Sequence, residues 1–296
     1  MADAKQLKVK IQSTQNIKKI TWALEIISTL KLQKVKKHTV HLRDCMVSLI
    51  DIVAKIDSYK HLFDIEPSAK YENETMLIVI GTEKWLCWSL NTQLFKHIHS
   101  LYDGKQATTD IVVIGKKAKE YFARRGYNVI ETLHVSDSIN IESAQNVVHT
   151  IHTHWSSATH KNIILCYNVF KNTMKYIPSL LSLFPMRADA LALFLEEVLG
   201  VDIHSHTVHA PKDLIIEPSL LEVKKKLYEM IVHYVIYWAI YQNKTCEFAS
   251  RMVAMKGAKD NALTQINWLT LSYNKARQDA ITKEIIEVAW ARAVVN

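Results

Sequence analysis

The chain has 296 residues, 49% of them apolar and 22% charged, with a formal net charge of +8; this is the balance of a folded protein of about two structural parts, not of a disordered chain. No stretch reaches the roughly 18 apolar residues that a membrane span requires. The apolar stretch from Ile231 to Ile240 is short and broken by His233, the N-terminus lacks an apolar signal core, and Cys45, Cys87, Cys166 and Cys246 lie far apart. These features favour a cytosolic setting in a bacterium-like cell, with buried thiols.

From about Lys5 to Asp57 the chain has neither proline nor glycine, and Ile17, Ile20, Leu24 and Ile27 recur at 3-4 spacing. The pattern blurs around Leu30, Leu32 and Val35, and one long helix is expected. From about Glu74 to His209 short apolar runs alternate with helical stretches. Met76 to Ile80, Ile111 to Ile114 and Asn162 to Cys166 read as strands, and Leu90 to Leu101, Lys116 to Arg125 and Ile141 to Trp155 as helices. Strand, helix, strand at this spacing predicts a parallel sheet with crossover helices.

Pro218 sits where a first-turn proline belongs, and no proline follows it. The helix it opens would be a rod of roughly 105 to 115 Å, too long for a domain of this size to cover. It must pair with the first helix and with something outside the chain. Its seam reads Met252, Met255, Lys259, Ala262, Ile266, Leu269, Tyr273, Ala276 and Ala280 in unbroken 3-4 spacing, the repeat that lets two helices wrap together. Small seam residues permit close approach, while Lys259 at a core position must either snorkel outward or loosen the pairing there.

The excess of Lys and Arg falls in the two terminal segments. A solvated helix face or acidic protein partners account for it, and no nucleic-acid motif accompanies it. The α/β segment offers Gly115 at a strand-to-helix turn but neither a dinucleotide fingerprint nor a Walker loop. His149, His152 and His154 with His204, His206 and His209 have no Cys or carboxylate at compact zinc spacing. No nucleophile-elbow motif frames a serine. No catalytic, cofactor or metal residue is expected.

Arg251-Met-Val-Ala-Met-Lys256, Asp260-Asn-Ala262, Tyr273-Asn-Lys-Ala-Arg-Gln278 and Ile281-Thr-Lys-Glu284 resemble, in order and spacing, the C-terminal helix of the gamma subunit of F-type ATP synthases. The front, Leu7 to Ser13 with Asn16 to Thr21, Ala23 to Ile26 and Lys31-Leu32, is similar to that family's opening helix, with Leu24 where the family usually has Met. Leu86-Cys87, Leu90-Asn91, Val113 to Lys117 and Phe170 to Met174 match landmarks of its α/β domain; Pro185 to Ala210 matches no motif.

The resemblance implies an α/β fold plus long helices: N- and C-terminal helices in an antiparallel coiled coil, residues 1–60 and 217–296, around a central Rossmann-like domain at 74–210. It implies a non-catalytic central-stalk rotor at the cytoplasmic face of the bacterial membrane. The partners would be the alpha and beta subunits of the catalytic ring, the epsilon subunit and the c-subunit ring, with no nucleic acid and no insertion into the bilayer. Arg277, Gln278 and Thr282 match family residues that touch beta subunits; Lys31, Lys34, Lys256 and Lys259 are further candidates for contact around the shaft. The alternative is a coiled-coil scaffold or adaptor with an α/β head. Trp85, Trp88 and Trp290 stand where the family has glycines. One expectation is that the gene reads UGA as glycine; genuine tryptophans in a divergent subunit are the other, and UGG at those codons decides for the latter. Trp22, Trp238 and Trp268 fall at positions read as polar helix faces.

Overall fold

The computed structural model describes residues 2–56, 73–84, 86–87, 89–135, 145, 148–153, 160–186, 194, 196 and 215–295. The elements in chain order are helix α1 (Ala2–Ile56), strand β1 (Asn73–Ile80), helix α2 (Leu90–Tyr102), strand β2 (Thr109–Ile114), helix α3 (Lys116–Ala123), strands β3 (Asn128–Leu133), β4 (His160–Asn172) and β5 (Lys175–Phe184), and helix α4 (Leu220–Val295). Of the expected helix from Ile141 to Trp155, residues 148–153 are helical and most of the remainder lies outside the described residues, as do His154, His204, His206, His209, Trp85, Trp88 and most of the stretch from Pro185 to Ala210. The described chain forms two compact units, Met1–Leu30 with Arg251–Asn296, and Lys31–Ser250.

In the larger unit a sheet of order β3-β2-β1-β4-β5 has every pairing parallel except β4 with β5. Its central strands are covered on both faces. Leu77 and Val79 of β1, with Ile111 and Val113 of β2, pack against Leu94, Phe95, Ile98, Ala118 and Phe122 of α2 and α3. The alternate residues Met76, Ile78, Val112 and Ile114 join Met46 and Leu49 of α1 and the apolar side of α4 from Leu227 to Ile240. Double coverage is why these strands read as unbroken apolar runs.

Two strands go beyond the parallel βαβ reading. β3 is an edge strand of alternating exposure, Asn-Val-Ile-Glu-Thr-Leu, and so lacks the continuous apolar signal. β5 carries Pro178, which only an edge strand accommodates. It folds back because Asn172 Oδ1 accepts the Met174 N–H at 2.9 Å, closing a side-chain turn.

α4 begins at Leu220, so Pro218 precedes the helix and does not sit in its first turn. The start is set by Ser219, whose hydroxyl accepts the Glu222 N–H at 3.3 Å, satisfying one of the free donors of the first turn. Within the larger unit Lys31 lies over the Phe248 ring and the His38 ring meets that of Tyr241. A step of seven residues forward on α1 matches seven backward on α4, the signature of an antiparallel pair in heptad register.

Candidate partner-binding surface

Doubly wound sheets bind ligands in a crevice at the carboxyl ends of the strands, where the strand order reverses. Here the reversal falls between β1 and β4, and α4 occupies it. Asn243 Nδ2 donates to the Gly81 carbonyl at 3.2 Å and Asn243 Oδ1 accepts from Asn168 Nδ2 at 3.0 Å. Gln242 Oε1 accepts the Phe170 N–H at 3.2 Å, and the Ser250 hydroxyl donates to the Cys87 carbonyl at 2.7 Å. Lys244 and Glu247, both buried, pair at 3.0 Å beside them. Among the described residues, α4 thus engages the Gly81, Asn168, Phe170 and Cys87 groups at this end of the sheet.

Gly115 stands at the N-terminus of α3 with φ +98°, and a Cβ there would lie 2.8 Å from the Thr82 carbonyl oxygen. Its glycine identity is a matter of that turn. Among the described residues no group of three His, Cys, Asp or Glu side chains is placed to hold a metal ion. Cys87, Cys166 and Cys246 are buried, and burial pushes the Cys166 and Cys246 thiols well above the ordinary range, away from the thiolate form that reacts. Cys45, expected to be buried, is exposed.

The smaller unit carries the outward-facing surface. On α4 the seam lies where the spacing puts it: Met255, Ala262 and Leu269 are buried and Met252, Lys259, Ile266, Tyr273, Ala276 and Ala280 half-buried. On α1 only Leu24 of the periodic set is half-buried. Ile17, Ile20 and Ile27 are 51%, 61% and 47% exposed, and the inward face runs through Leu7, Ile11, Thr14, Lys18, Thr21, Glu25 and Ser28. Small hydroxyl residues let the helices approach closely, while the isoleucines, equally periodic, lie on an exposed flank. Exposed with them are Trp22, Trp268, Leu271, Ile285 and Trp290. Large apolar side chains in such number on one helix pair mark a surface made for partners.

Arg277, Gln278 and Thr282 are exposed on α4; Thr282 also donates its hydroxyl to the Gln278 carbonyl at 2.9 Å. Lys256 is exposed, whereas Lys259 reaches Glu25 Oε2 at 2.7 Å. In the larger unit Lys34 is exposed and Lys31 half-buried, with its ammonium 5.5 Å from the Phe248 ring centroid. Glu25 and the exposed apolar residues went unassigned in the sequence. The signal for Glu25 was the 4-3 spacing begun by Leu7 and Ile11, which continues through hydroxyls and charges that a search for apolar residues passes over. No described helix is long and apolar enough to cross a membrane.

A family model described as ATP synthase matches residues 3–293. The chain is 30% identical over the full length of both chains to an ATP synthase gamma chain of Ruthia magnifica. With the gamma chain of Vesicomyosocius okutanii it shares 32% identity over 97% of each chain. Among solved structures, a chain of the Euglena gracilis mitochondrial ATP synthase aligns with a TM-score of 0.65 at 16% identity, covering 99% of this chain and 95% of that one. A chain of the Tetrahymena thermophila mitochondrial ATP synthase central stalk and c-ring aligns with a TM-score of 0.59 at 21% identity, covering 81% and 99%. These two establish likeness of fold, and the scaffold or adaptor reading finds no support among the relatives. The helix pair, the sheet order and the full-length match agree: the chain belongs to the ATP synthase gamma-chain family.

Proposed function

We propose that this chain is the central-stalk rotor of an F-type ATP synthase, turning inside the ring of alpha and beta subunits and joining epsilon and the c-subunit ring. In that role it couples ion flow through the membrane sector to ATP synthesis or hydrolysis on the ring. The observation that carries the reading is the terminal helix pair, whose seam sets Met255, Ala262 and Leu269 of α4 against hydroxyls of α1 and which turns further isoleucine, leucine and tryptophan side chains outward. A free-standing coiled coil keeps its large apolar residues in the seam and its outer faces polar. Two helices along a common seam also resist bending and twisting better than one, as a torque shaft must.

The chain itself performs no catalysis in this reading; the reaction belongs to the beta subunits. In the head, Asn243, Lys244 and Glu247 of α4 occupy the crevice at the carboxyl ends of the strands. Arg277, Gln278 and Thr282 on α4 contact the ring, and the exposed Lys34 and Lys256 present positive charge to acidic partner loops, to which Lys31 and Lys259 add only as far as their contacts with Phe248 and Glu25 leave them exposed. The subunit sits on the cytoplasmic face of the bacterial membrane, held there by the c-ring. Co-expression with alpha, beta and epsilon subunits tests the proposal. The expected outcome is one complex that hydrolyses ATP and binds c-ring-containing membranes; a chain that elutes alone and leaves the alpha-beta assembly unchanged overturns it.

A further inference from the structure

From Thr14 to Ser28 the inward positions of α1 are Thr14, Lys18, Thr21, Glu25 and Ser28, with the half-buried Leu24 at their edge the one aliphatic residue among them. Thr14, Thr21 and Ser28 are buried, and each hydroxyl is donated to a carbonyl of its own helix: Lys10 at 2.9 Å, Ile17 at 3.0 Å and Leu24 at 2.7 Å. A hydroxyl satisfied four residues back asks nothing of the facing helix. Such a seam is thin and tolerant of sliding. Because its pattern repeats every seven residues, a slip of one heptad, about 10 Å along the axis, preserves the repeat unless something penalises it.

Glu25 and Lys259 supply that penalty. Their side chains, 19% and 22% exposed, meet at 2.7 Å across the seam. The hydrogen bond with Glu25 holds the Lys259 ammonium above the ordinary lysine range. Counting outward from this pair at equal rise sets Thr21 level with Ala262, Lys18 with Ile266 and Thr14 with Leu269. A one-heptad slip in one direction sets Glu25 level with Ile266; in the other it sets Lys259 level with Lys18. Either strands a half-buried charge against hydrocarbon or against a like charge.

We propose that Glu25 and Lys259 are positioning residues that lock the axial register of the terminal helix pair, and so fix the height and rotational phase at which Arg277, Gln278 and Thr282 are presented. The second half rests on the rotor reading, the first does not. The test uses the full chain with Cys45→Ser, in which Thr21→Cys with Ala262→Cys reports the native register by oxidative cross-linking. Thr21→Cys with Leu269→Cys, or with Met255→Cys, reports the two slips.

The native pair is expected to cross-link in the parent chain. Lys259→Glu or Glu25→Lys should lower that yield about fivefold or more and raise a slipped one, and the charge-swapped double variant should restore the native pattern. Circular dichroism checks that each variant stays helical, and Lys259→Met, which removes the charge without repulsion, replaces any that does not. Unchanged native cross-linking in the single variants, or failure of the swap to restore it, overturns the lock. If cross-linking follows the charges while ATP turnover of the complex with alpha and beta subunits does not, the lock stands and its control of how Arg277, Gln278 and Thr282 are presented is overturned; if the parent chain does not assemble with those subunits, the lock stands and the rotor reading fails.

Discussion

At the residue scale the most instructive side chains are those whose surroundings contradict their sequence neighbourhood. Trp238, read as lying on a polar helix face, is 1% exposed and meets Tyr167 and Phe194 edge-on. A ring fitted by two aromatic partners belongs to this core, so Trp238→Ala should cost about 3–5 kcal/mol in urea unfolding, whereas Trp268→Ala, at an exposed position, should stay within about 0.5 kcal/mol. Trp22, Trp268 and Trp290 are 56%, 65% and 70% exposed, positions at which a ring causes no clash. His233 gives a pH prediction. Burial first, then His152, Lys226 and His149, hold its imidazole below the ordinary range, against the opposing pull of Glu229. A folded value below the unfolded 6.5 means that the contribution is complete above that pH and lost as pH falls through the folded value. Between about pH 7.5 and 5.5 the melting temperature should therefore fall, and His233→Phe, which keeps a ring against His152, should flatten the fall; parallel curves for the two proteins would refute the assignment.

At the element scale, α4 does in the head what a ligand does in other doubly wound sheets. Asn243 is its key residue, because both ends of its amide are used on buried partners, the Gly81 carbonyl and Asn168. Asn243→Leu leaves those two groups without it and should cost about 2–5 kcal/mol, more than the loss of one exposed hydrogen bond. Chemical denaturation measures it, and a change below about 1 kcal/mol would show that the crevice readily repacks. The strands β1, β2 and β4 were legible because both faces are buried and their runs are continuous. β3 and β5 were not, since an edge strand alternates or tolerates a proline. The α4 seam was legible in full. The inward face of α1 was not legible, because periodic isoleucine and leucine residues signal a face without saying which side it turns to; of the four only Leu24 is half-buried.

At the scale of the whole molecule, the two units divide the work: the larger holds the sheet and its apolar core, the smaller the terminal helices with their outward apolar and cationic residues. If the ring grips the shaft through Arg277 and Gln278, both exposed, then Arg277→Ala in the assembled complex should slow ATP turnover about fivefold, the effect of roughly 1 kcal/mol at one contact, and leave the melting temperature of the isolated chain unchanged. Turnover equal to the parent complex would remove Arg277 from the contact set. The sequence by itself determined the long helices, the parallel core of the sheet and the family. These are written in local periodicity and in ordered strings that need no folded partner to be read. Only the tertiary structure decided which face of α1 turns inward, that Lys259 answers Glu25, and that α4 closes the crevice of the head. Each depends on what lies opposite a residue in space, and periodicity along one chain carries no information about the opposite side.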